Sequence, residues 1–213
     1  MKIGIIGAGK IGGTLTRRLT ALGHDVAVAN SRGPETLRDL AAETGARAAT
    51  PAEAVEGAEL VVVTIQEGRV PELDGGILDR RAPGAPIVDT GNYYPSRDGR
   101  IDALEHGMVE SRWVEQHLGH PVIKAFNNIF YQHLLEGGRP AGAPERIALP
   151  VAGDDGDAKR RVMDLVEQLG FDAVDAGGLD ESWRQQPGTP CYTKDHGATE
   201  LRRALVEAKR LRP

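Results

Sequence analysis

The sequence has little of what several function classes require. It holds a single cysteine, Cys191, in 213 residues, so no intramolecular disulfide can form and no paired thiol chemistry is available. Basic residues are not in excess. The 26 Lys and Arg stand against 31 Asp and Glu, a formal net charge of -5, whereas binding to a nucleic-acid backbone uses a clustered basic surface. Long hydrophobic runs are also missing: stretches such as 59–65 reach about a third of the roughly 20 residues that span a bilayer. The chain opens on a strand-like apolar run without a charged leader or a cleavage signal. No membrane segment and no nucleic acid are expected, and a cytoplasmic location with small-molecule partners is. Metal-ligand spacing is absent as well. Of six histidines only His117 and His120 are close, and Gly119 and Pro121 interrupt any shared helix, so no metal is expected. No Ser/His/Asp or Cys/His set suggests itself.

What is present is alternation. Short Val/Ile-rich runs at 2–7, 25–30, 60–65, 86–90, 121–126, 146–152 and 171–175 are separated by longer segments of helical period. That pattern predicts an α/β fold, a doubly wound and mostly parallel Rossmann sheet with helices on both faces. Helices are expected over 12–22, ended by Gly23, and over 34–43, with Pro34 in the first turn and Gly45 past the end. Amphipathic stripes predict two more, over 155–169 and 199–211. The expected organisation is a nucleotide-binding domain over 1–180 and a small C-terminal loop and helix extension over 181–213. The final helix suits packing on its own sheet or on a second copy, which leaves a homodimer open.

The first strand runs into Gly7-Ala8-Gly9-Lys10-Ile11-Gly12, a G-x-G-x-x-G that opens a helix. Gly7 permits the tight turn, Gly9 lets a pyrophosphate approach the backbone, and Gly12 lets helix and strand pack closely. The helix N-terminus then faces the anion with unpaired N–H groups. A dinucleotide is expected on this loop. About 20 residues on, where an NAD-binding unit carries an acid for the ribose 2′-hydroxyl, the sequence has Asn30-Ser31-Arg32. A carboxylate there would repel a 2′-phosphate. Arg32 instead offers charge-assisted bonds to one, Ser31 a hydroxyl, and Asn30 a group for the remaining ribose hydroxyl. The cofactor expected is NADP(H).

In an open parallel sheet the ligand lies past the carboxyl ends of the strands. The residues there are Thr64-Ile65-Gln66, the turn at Asn92 and the run Lys124-Ala125-Phe126-Asn127-Asn128. Thr64, Ile65, Gln66 and Asn92 join the cofactor-binding set. Lys124, an ammonium in an apolar run, and Asn127 are the catalytic candidates, since a cofactor carries the redox chemistry and the protein aligns and shields it.

These residues resemble those of the NADPH-dependent reductases of the deazaflavin coenzyme F-420. The likeness rests on GAGKIG at 7–12, the triplet at 30–32, the Asp89-Thr90-Gly91-Asn92 turn and Lys124-Ala125-Phe126-Asn127. The last also resembles the oxidoreductase domain of the transmembrane metalloreductases. The resemblance implies a Rossmann domain, NADP(H) held by the loop with Ser31 and Arg32, and hydride exchange with a flavin-like ring. Coenzyme F-420 or a flavin would be the second substrate. Reduction of free flavin, a ferric chelate or another small molecule stands as an alternative, as does a non-catalytic NADP(H) sensor.

Overall fold

The computed structural model describes residues 1–211. Its elements follow the expected alternation. Strand β1 (Lys2–Ile6) leads into helix α1 (Lys10–Ala21), then β2 (Asp25–Ala29), α2 (Arg38–Thr44), β3 (Arg47–Ala49), α3 (Pro51–Val55), β4 (Leu60–Val63) and β5 (Ile87–Asp89). Three helices, α4 (Pro95–Asp98), α5 (Asp102–Glu105) and α6 (Glu110–Leu118), precede β6 (Ile123–Lys124) and α7 (Tyr131–Glu136). The chain closes with β7 (Ala148–Val151), α8 (Gly156–Gln168), β8 (Asp172–Asp175) and α9 (Ala198–Glu207).

Among the described residues six strands form one sheet in the order β3-β2-β1-β4-β5-β6, with every pairing parallel. The order reverses between β1 and β4, which is where a doubly wound sheet opens its ligand crevice. The β1 and β4 strands are buried on both faces, as their unbroken Ile and Val runs require. One apolar cluster lies under α1, α7 and α8; a second lies under α3 and α6. Strands β7 and β8 pair parallel with each other and join the main sheet through a single antiparallel bridge, Lys124 to Ala152. Helix α9 packs on that pair through Leu201 and Leu205.

Several expectations need adjustment. Strand β4 ends at Val63, which frees Thr64 and Ile65 to turn outward. The helix expected over 34–43 starts as a 3₁₀ turn (Pro34–Leu37), because Gly33 and Pro34 set a tight entry, and continues as α2 to a left-handed Gly45. Strand β3 has no strong sequence signal, since Arg47-Ala48-Ala49 carries neither a β-branched nor an aromatic side chain. The last helix stops at Glu207, short of Leu211. Past that point Ala208 is extended, and Arg210 reaches the Trp183 ring and the Gly107 carbonyl, so Leu211 is left exposed.

Candidate functional site

The phosphate loop obeys its steric logic. Gly7 has φ +108° and its missing side chain leaves room for the Thr64 carbonyl; a methyl on Gly12 would overlap the Gly7 carbonyl. Gly9 differs, because nothing lies within 4 Å of where its Cβ would be. Gly7 and Gly12 thus serve the fold, while Gly9 keeps open the space a ligand would use. Gly9 is also the N-cap of α1, with no side chain capping it and no acid in the first turn. The dipole end faces open space with its donors intact.

That space continues as a groove of about 490 Å³, within the size of sites that hold small ligands. It is lined by Gly7, Gly9, Asn30, Ser31, Arg32, Thr64, Ile65 and Gln66 of the expected set. Ala8, Lys10, Ile11 and Gly12 belong to the loop and helix start but do not line it; the Lys10 ammonium lies over the Tyr131 ring, 5.0 Å from its centroid. Pro51, Arg69, Glu72 and Leu73 also line the groove and were not anticipated. Pro51 starts α3, Arg69 and Glu72 lie on the 3₁₀ turn 67–72 and Leu73 follows it, and no periodicity or motif marks them.

Arg32 and Ser31 are exposed at the groove end, and among the described residues Arg32 has no carboxylate within ion-pair distance. Asn30 is occupied: its Oδ1 accepts the Arg32 N–H at 2.8 Å and its Nδ2 donates to Thr36 Oγ1 at 2.9 Å. The Asn30 amide therefore shapes the turn that presents Arg32, an Asx-type bond in a loop that also needs Gly33 at φ +96°.

The remaining expected residues form a second cluster at the ends of β5 and β6. Lys124 is fully buried and donates to Asp89 Oδ2 at 2.9 Å and to the Gly91 carbonyl at 2.6 Å. Asp89 also accepts from Ser111 Oγ and from the Gly91 N–H. Burial works against the ammonium, but Asp89, Glu67 and Glu110 outweigh it and hold the Lys124 pKa above its usual value. Lys124 thus commits two of its three donors to Asp89 and Gly91 and fastens the 89–92 turn.

Asn127 is likewise engaged. Its Nδ2 donates to Asn92 Oδ1 at 3.0 Å and to the Gln185 carbonyl at 2.8 Å, and its Oδ1 accepts from Gln185 Nε2. Asn92 donates back to the Asn127 carbonyl, so it faces β6 and not the groove.

Glu67 escaped the sequence reading altogether. It is fully buried, with neither carboxylate oxygen hydrogen-bonded within the protein. Burial, then the nearby Asp89, push its pKa well above the ordinary carboxyl range, with Lys124 opposing. The Glu67 Oε2 fills the space a side chain on Gly91 would need. Cys191 is buried, donates to the Arg184 carbonyl, and has its thiol pKa raised by that burial, which makes it a packing group. Among the described residues no cluster of ligand types could hold a metal, and no helix is long and apolar enough to cross a membrane.

Comparison with known proteins bears on the same segments. The Escherichia coli (strain K12) protein YjhV is 46% identical over 71 residues, 33% of this chain and 52% of that protein. Metalloreductase STEAP3 of Rattus norvegicus is 29% identical over 179 residues, 84% of this chain and 34% of that protein. The chain thus spans about half the length of one curated relative and a third of the other. Among solved structures, hypothetical protein SMa0349 from Sinorhizobium meliloti is similar with a TM-score of 0.76 at 28% identity, covering 92% of this chain and 95% of that one. A candidate F420-dependent NADP reductase from Arthrobacter sp. FB24 shares the fold with a TM-score of 0.66 at 24% identity, over 84% of this chain and 86% of that one. Residues 2–93 match the family described as NADP oxidoreductase, coenzyme F420-dependent, so the segment with the phosphate loop, the 30–32 triplet and the 89–92 turn carries that family's signature.

Proposed function

We propose that the chain binds NADP(H) in the groove between β1, β2 and β4 and exchanges a hydride with a small ring acceptor of the deazaflavin, F-420-like type. The observation that carries the cofactor half is Arg32, an exposed cation beside Ser31 with no carboxylate partner among the described residues, where an NAD site would place an acid. The open cradle at Gly9 and the uncapped start of α1 fit the pyrophosphate. NADPH, when bound, supplies the hydride. The chain's own part is to hold the dinucleotide, to keep Asn92 and Asn127 in register through Lys124 and Asp89, and to exclude water with the segment 183–193. The acceptor half rests on the family signature over residues 2–93. Reduction of a ferric chelate or free flavin is the second reading, favoured by the likeness to a metalloreductase over 84% of the chain. We take residues 1–180 as the cofactor domain and 181–213 as its extension, a division that domain-deletion variants can examine.

Anaerobic NADPH oxidation with F-420, FMN, FAD and ferric citrate compared side by side tests the acceptor: fastest turnover with F-420 is expected, and none with F-420 overturns that assignment. Arg32→Ala tests the cofactor independently. Loss of a charge-assisted contact of about 1.5–3 kcal/mol should weaken NADPH roughly 10- to 100-fold. NADH should change little, and equal losses for both would refute the role of Arg32.

A further inference from the structure

Among the described residues, eight buried side-chain nitrogen and oxygen atoms find no hydrogen-bond partner, and five of them belong to Asn128, Ser182, Gln185 and Gln186. Each such atom costs about 1–3 kcal/mol, and folded proteins tolerate few of them. Their concentration along one seam therefore asks for a reason. The seam lies between the turn that follows β6 and the segment 182–193, which crosses over it as a strap.

The strap is fastened by polar contacts. Gln185 bonds Asn127 in both directions, the Thr193 N–H donates to the Asn128 carbonyl at 2.8 Å, and the Tyr192 hydroxyl pairs with that of Tyr94. On the two sides of the seam Phe126 (φ +60°) and Thr193 (φ +52°) hold left-handed conformations that bulky and β-branched residues seldom adopt. Asn127 has both amide atoms committed, as described above. Asn128, 1% exposed, has both of its own unused. A fully buried carboxamide with one donor and one acceptor free matches a ligand edge that offers an N–H beside a C=O.

We propose that the seam beneath the strap is the acceptor site, opening to admit a flat heteroaromatic ring whose imide edge, N–H flanked by C=O, is read by the Asn128 amide. The assignment rests on the oxidoreductase reading for its hydride chemistry, but not for its binding geometry. Flavins and deazaflavins share this imide edge, whereas ferric chelates and ferricyanide lack it, so the site distinguishes acceptor classes by chemistry alone. Opening releases the Gln185 side-chain carbonyl as well, also fully buried and unpaired in the closed form.

The test is Asn128→Leu, which keeps the volume and removes both polar atoms. Because those atoms have no partner in the free protein, the variant should melt at or above the wild-type temperature. Its KM for FMN and for F-420 should rise about tenfold, the equivalent of one hydrogen bond of about 1.4 kcal/mol. Turnover with ferricyanide and the Kd for NADPH should stay within twofold. Titration of FMN and F-420 by fluorescence without NADPH gives the same ratio as a Kd, so a chain with no turnover is still informative. An unchanged KM or Kd for both rings, a parallel loss with ferricyanide, or failure of the wild type to bind either ring would overturn the site. Failure of NADPH binding alone would instead strike the cofactor reading. Should leucine disturb folding, Asn128→Ser removes the amide with less bulk. Amides 182–193 should exchange hydrogen faster with FMN bound if the strap opens; unchanged exchange would refute opening.

Discussion

At the scale of single residues, Glu67 makes the sharpest statement. Its folded pKa lies above that of a carboxyl in the unfolded chain. The stability tied to its burial is therefore complete below the unfolded value of about 4.3 and is lost as pH climbs through the folded one. Glu67→Gln removes the titration and keeps the shape. Thermal melts should show the variant gaining on the wild type as pH rises above that unfolded value, and a gap that stays constant with pH would refute the raised pKa. No feature of the sequence announces this residue. It follows an apolar strand much as a surface acid would, and only the fold brings Asp89, Glu110 and Gly91 around it. Lys124 is the complementary case. Its burial was legible as an oddity in an apolar run, but its partner was not, since Asp89 lies 35 positions away and is joined only through the β5–β6 pairing.

At the scale of elements, the three loop glycines separate into two kinds. Gly9→Ala meets open space and should leave stability within about 0.5 kcal/mol, as for an ordinary surface change. It should also raise the NADPH Kd tenfold or more by blocking the approach of the pyrophosphate. Gly12→Ala drives a methyl into the Gly7 carbonyl and should cost about 3 kcal/mol, read by denaturant unfolding before any ligand is added. If both variants destabilise alike, the loop is a structural turn and not a cradle. This element was legible because its demands are local: strand, turn and helix follow one another, and each glycine answers to near neighbours. The failures in the sequence reading come where the deciding contact is remote. Strand β3 exists because β2 offers it an edge, despite a sequence of Arg47-Ala48-Ala49. Helix α9 ends early although its apolar stripe continues, because Arg210 is drawn to Trp183 and Gly107. The seat of the strap on Asn127 and Asn128 likewise depends on contacts more than 50 positions apart.

At the scale of the whole molecule, arginines bind the later elements to the first sheet. Arg18 on α1 donates to the carbonyls of Leu135 and Leu169, the final turns of α7 and α8, at 3.0 and 2.6 Å. Arg161 on α8 does the same for the Glu59 and Gly84 carbonyls. Such contacts satisfy helix and loop ends that would otherwise lack partners. Arg18→Ala should cost about 2 kcal/mol and raise hydrogen exchange at the ends of α7 and α8, while the NADPH Kd holds, because no part of Arg18 lines the groove. A loss of NADPH affinity would show that the two halves communicate.

The two-residue strand β6 has one more consequence. Lys124 uses its side chain to fasten the turn after β5 and its backbone N–H and C=O to pair with Ala152. The residue that shapes the turn after β5 is thus the same one that seals the sheet's border. Without β7 alongside, β6 would present bare amides to any passing strand, an invitation to cross-molecule pairing. Recombining this sheet with a different C-terminal module therefore cannot be done at the join alone: a graft must supply its own strand opposite Lys124, or trade solubility for novelty.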